Sequence, residues 1–123
     1  MKITGFNPSI LTSKPDELIH LFEELGFEKS HHDDAELGIV SGSVRMKYAD
    51  VFQVDITSTE KYPGDKTLIR MNVDEIEAAY NLLLEHGFHN AMGDGVIIEA
   101  ERFRGAHMIS PSGFEFMVMQ HKK

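Results

Sequence analysis

A chain of 123 residues suits one domain burying roughly two thirds of its unfolded surface, so no disulfide or structural metal is needed to hold it. It has no cysteine, which excludes thiol nucleophiles, Cys-ligated zinc and disulfide frameworks, and fits a cytoplasmic protein. Twelve basic against twenty acidic residues, a formal charge of −8, argue against nucleic acid and anionic membranes as partners, because the few cations are scattered.

In chain order, "KITGFNPSIL" from Lys2 reads as a strand. Ser13, Pro15 and Asp16 then look like a helix start, and Leu18, Leu21, Phe22 and Leu25 form an apolar stripe that stops at Gly26-Phe27. Next comes "HHDD" (His31, His32, Asp33, Asp34), which suggests metal binding. Adjacent strand residues point to opposite faces, however, so the run is read as a solvated turn. "ELGIVSG" (36–42) and "VFQVDITS" (51–58) follow as strand candidates, and "KYPGD" (61–65) carries Pro-Gly turn chemistry.

The pattern then repeats. "TLIRMNV" (67–73) is strand-like, and Asp74 with Glu77 makes a capping-box pattern. Ile76, Ala79, Leu82 and Leu83 form a second stripe, ending at Gly87-Phe88. "GVIIEAERF", "GAHMIS" and "FEFMVMQ" are the closing strand candidates. His86 and His89 read as helix-end residues, His20 as mid-helix and His121 as tail. No stretch forms a secretory signal core or a membrane span, and the sequence contains no G-x-S-x-G elbow, phosphate loop or dinucleotide fingerprint. Each half therefore reads strand, helix, then about three strands. At about 60 residues the halves are too long for solenoid repeats, and they are expected to share a core.

Such a doubled βαβββ unit resembles the vicinal oxygen chelate superfamily, which includes glyoxalase I, extradiol dioxygenases and bleomycin-resistance proteins. "LIRMNVDEIEAAYNLLLEHGF" is similar to the opening of the family's second module. "HMISPSGFEFMVMQ" is similar to its closing hairpin, with Ser110-Pro111-Ser112-Gly113 where the family usually has Asp-Pro-Asp-Gly. The resemblance implies an α+β fold: two βαβββ modules, about 1–60 and 66–123, joined by a turn at 61–65, whose curved mixed sheets form a cavity. It also implies a homodimer.

Metal-dependent members carry four ligands on the inner strand faces. Matching this sequence to that pattern puts Asn7, Leu68 and Met117 at three positions and Asp55 at the fourth. One carboxylate in four implies that the usual metal ligands are lost. On the family's strand parity, Asn7, Gln53, Asp55, Arg70, His107, Glu115, Met117 and Met119 face the cavity and are the expected ligand-binding residues. His107 reads equally as a ligand contact or as a strand histidine satisfied by a neighbour, and Arg70 with Glu115 as an ion pair or as an anion anchor and an acid. The expected function is noncovalent binding of a small organic molecule, with no cofactor. Two alternatives remain: a metal-dependent lyase or isomerase of the glyoxalase I kind using a displaced set such as Asp55, His107 and Glu115, and a protein-interaction module with a filled cavity. For an anionic ligand Arg70 is the expected partner and for a cationic one Asp55 with Glu115, and net acidity favours a cationic or neutral ligand.

Overall fold

A computed structural model describes residues 1–33 and 42–122. Among the described residues, nine strands and two helices follow in the order β1 (Ile3–Thr12), α1 (Pro15–Glu24), β2 (Glu28–Asp33), β3 (Gly42–Tyr48), β4 (Phe52–Ser58), β5 (Lys66–Val73), α2 (Ile76–Glu85), β6 (His89–Asn90), β7 (Ile98–Glu99), β8 (Phe103–Ile109) and β9 (Glu115–His121). Packing divides the chain into two compact units, 7–67 and 1–6 with 68–123.

In the unit of residues 7–67, β2 pairs antiparallel with β3, β3 antiparallel with β4, and β4 parallel with β1. One sheet face packs on α1, joining Val44, Met46, Val54 and Ile56 to Ile19, with Ile10, Leu18, Phe22 and Phe27 around them. The other unit is built alike. There β5 pairs parallel with β9, β9 antiparallel with β8, and β6 and β7 both pair with β8. Its α2-facing core holds Met71, Val73, Ile76, Ala79, Leu83, Ala106, Met108 and Val118.

Both helices end alike because the Gly-Phe pair closes a Schellman turn. Gly26 and Gly87 take φ of +105° and +83°, conformations that side chains avoid. The next residue's N–H then reaches back, Phe27 to the Phe22 carbonyl (2.9 Å) and Phe88 to the Leu83 carbonyl (3.0 Å). Each of those Phe rings packs against the core of its unit. The repeated dipeptide is thus a helix stop coupled to a hydrophobic anchor.

Several expectations need correction. Residues 31–33 belong to β2 rather than to a turn, since the β3 backbone supplies hydrogen-bond partners that outweigh the low strand preference of His and Asp; Asp34 lies outside the described residues. So does most of "ELGIVSG", and the strand that pairs with β4 begins where that segment ends, at Gly42. On α1, Leu21 and Leu25 are exposed. The buried arc runs instead through Leu18, Ile19 and Phe22, which lie at helical spacing toward the sheet. The capping box at α2 does not form. Glu75 occupies the N-cap without a side-chain bond. Asp74 Oδ1 accepts from the Lys2 N–H (2.6 Å), and the Ile76 N–H is satisfied by Gln120 Oε1 (2.7 Å). "GVIIEAERF" yields the two-residue β7 and, at Phe103, the first residue of β8, while His89 starts β6 and His121 ends β9.

Candidate functional site

Each sheet has a second face, turned away from its helix, and the strand period of two places the predicted site residues there. In the 68–123 unit, Arg70 is opposite Met117, and Met117 is opposite His107, so the three leave the same side of the sheet in a row across β5, β9 and β8. Glu115 and Met119, two residues to either side of Met117 on β9, share that side, and Asn72 is opposite Met119. His107 Nε2 and Glu115 Oε1 share a hydrogen bond of 2.5 Å, with the two residues 4% and 7% exposed. His107 is therefore satisfied by a neighbour, and its imidazole is a partner of Glu115. Arg70 Nε donates to Asn72 Oδ1 (3.3 Å). Met117 and Met119 are buried beside them.

The 7–67 unit has a matching polar face. Asn7 and Asp55 are almost wholly buried, and their side chains form a directed chain of hydrogen bonds. Gln53 Nε2 donates to Asn7 Oδ1 (2.9 Å), Asn7 Nδ2 donates to Asp55 Oδ2 (2.9 Å), and Arg45 Nε donates to Asp55 Oδ1 (3.2 Å). Ser9 and Thr57 add a hydroxyl pair at 3.0 Å. Three of the four members of the chain were predicted; Arg45 was not. It lies opposite Asp55 in the β3–β4 ladder, a pairing hidden as long as β3 itself goes unrecognised. The alternation Val44, Arg45, Met46, Lys47 was the available signal.

Every donor in this chain points toward Asp55, so its charge is compensated within the unit. Among the described residues no buried side-chain nitrogen or oxygen lacks a hydrogen-bond partner. A separate surface recess of about 420 Å³ is lined by Thr4, Val73, Asp74, Gln120, His121 and Lys122. It contains none of the predicted site residues, and its Gln120 is occupied in holding the start of α2.

Sequence comparison finds no matching family model and no similar curated protein. Solved structures do match over nearly the whole chain. Methylmalonyl-CoA epimerase from Mycobacterium tuberculosis superposes with a TM-score of 0.71 at 14% identity, covering 98% of this chain and 90% of that one. A glyoxalase/bleomycin resistance protein/dioxygenase superfamily member from Vibrio splendidus 12B01 gives 0.63 at 16% identity, covering 97% and 99%. A second methylmalonyl-CoA epimerase structure gives 0.61 at 17% identity, covering 95% and 94%. The chain has the vicinal oxygen chelate fold.

The four residues matched to the family's ligand positions, Asn7, Asp55, Leu68 and Met117, are all buried. Leu68 and Met117 are buried and offer no oxygen or nitrogen. The Asn7 amide is committed on both sides, its oxygen to Gln53 and its nitrogen to Asp55. Both Asp55 oxygens accept hydrogen bonds. Among the described residues, no group of three or more His, Asp or Glu side chains is placed to hold an ion. No described helix is long and apolar enough to cross a membrane.

Proposed function

We propose that the protein binds a small organic molecule noncovalently and without a divalent metal. The observation that carries this reading is the state of Asp55, the one carboxylate at a family ligand position. It is buried among Asn7 and Arg45, donors that stabilise the anion and that a metal would have to displace. On the face of the 68–123 unit, His107, Arg70 and Glu115 are the proposed polar contacts and Met117 and Met119 the apolar cover; on the face of the 7–67 unit, Asn7, Gln53 and Asp55 are the proposed polar contacts. Buried polar groups beside adaptable thioethers suit a small, mixed ligand. A cytoplasmic location, as the lack of cysteine suggests, and the homodimer that the fold resemblance implies are part of the same proposal, with sedimentation of the purified chain as the check on the dimer.

Thermal-shift screening of small metabolites, followed by calorimetry, tests the reading. His107→Ala and Arg70→Ala are expected to lower affinity by about 1–3 kcal/mol where their hydrogen bonds are used. A screen without a ligand, or a ligand indifferent to both substitutions, would overturn it.

A further inference from the structure

The charge of the ligand can be read from how the carboxylates are used. Asp55 is 1% exposed, with one oxygen on Arg45 and the other on Asn7; Glu115 is bound to His107. A cationic ligand would reach either carboxylate only by competing with a donor already in place, and separating a buried charge from its partner is costly. An anionic ligand needs neither pair to break.

Arg45 is built for such a ligand. Its side chain is 23% exposed while the Asp55 that holds it is buried, so the guanidinium lies at the outer end of the chain that starts at Gln53. The bond to Asp55 uses Nε, one edge of the planar fork. The terminal nitrogens lie on the other edge, in the geometry that takes a carboxylate or phosphate through two parallel hydrogen bonds. Because Asn7 and Gln53 fix the carboxylate, the guanidinium is oriented before any ligand arrives and loses little freedom on binding. Lys47 projects from the same face two residues along β3, opposite Gln53, and adds a second positive charge.

We propose that the ligand is an anion bearing a carboxylate or phosphate group, and that Arg45 is the residue that holds it. This rests on the small-molecule-binding reading above and reverses the preference for cations drawn from net charge. Net charge averages over the surface, whereas the two carboxylates on these faces are already paired.

The test uses the whole chain labelled with ¹⁵N, following the Arg45 Nε–H and the backbone amides of 43–57. Malonate and inorganic phosphate serve as anionic probes, and tetramethylammonium as the cationic one. A saturable shift is expected with at least one anion, and which anion gives it distinguishes carboxylate from phosphate recognition. Tetramethylammonium should give none. Arg45→Gln should weaken anion binding by about tenfold to a hundredfold, the range for a charge-assisted pair, with Arg45→Lys in between. Because Arg45→Gln strands the buried Asp55, the Arg45→Gln/Asp55→Asn double variant is measured too, and it should bind as weakly as Arg45→Gln while staying folded. Anion affinity unchanged in both variants, no saturable shift with either anion, or binding of tetramethylammonium would overturn the proposal. A neutral ligand from the metabolite screen that binds at the Arg45 face while both anions fail would overturn only the charge assignment. Absence of any ligand would remove the binding reading itself.

Discussion

Gly5→Ala tests how the Arg70 guanidinium is positioned. A Cβ built on Gly5 would lie 2.8 Å from Asn72 Nδ2 and 3.4 Å from Asn72 Cβ and Cγ, so Asn72 must move. Asn72 is buried and accepts the Arg70 Nε–H, so moving it costs both packing and that hydrogen bond. Overpacking of this size costs about 1–3 kcal/mol and a hydrogen bond to a charged group about 1.5–3. Replacing glycine in a strand recovers about 0.5–1. A net loss of about 1–2 kcal/mol follows, because a single rotation of Asn72 accounts for both costs. Urea denaturation of Gly5→Ala, Asn72→Ala and the double variant measures it. Shortening Asn72 makes room for the methyl group, so the double variant should be more stable than the sum of the singles predicts, by about 1 kcal/mol. The Arg70 Nε–H resonance should move in each variant. A neutral or stabilising Gly5→Ala, or strictly additive effects, would refute the reasoning.

Leu83→Ala should cost about 2–5 kcal/mol, since Leu83 is buried in the α2 core, while Leu84→Ala on the exposed side should stay within about 0.5, as denaturation midpoints would show. Gln120→Ala removes the acceptor of the first α2 N–H and should lower stability by about 1 kcal/mol in the same assay. The Lys2 backbone N–H holds the exposed Asp74 carboxyl below its ordinary value of 3.8. A lowered carboxylate adds stability above that value and loses it as pH falls through its folded value. Asp74→Asn should therefore flatten the acid limb of the stability profile, and an unchanged limb would count against the contact.

The helices and the face parity of the strands were legible because both depend on local spacing. Gly26 and Gly87 mark helix ends through backbone conformation, and the resemblance's strand parity implied one face for Arg70, His107, Glu115 and Met117, which the ladder register then gives. Features that depend on partners distant in sequence were not legible. Asp74 answers to Lys2 and Ile76 to Gln120, so a correct capping pattern led to a bond that does not form. Arg45 meets Asp55 only through the register of a hairpin whose first strand was misplaced, and β2 owes its existence to pairing rather than to its His- and Asp-rich composition. The pairing of Glu115 with His107 required the β8–β9 ladder.

The most direct test of metal-independent binding is calorimetry with a small ligand identified by screening, run on protein purified without chelators and repeated after exhaustive chelation, with the metal content of both samples measured. The same affinity in both and no stoichiometric metal in either are expected. Stoichiometric zinc, nickel, manganese or iron, with affinity that disappears on chelation and returns with the ion, would contradict it.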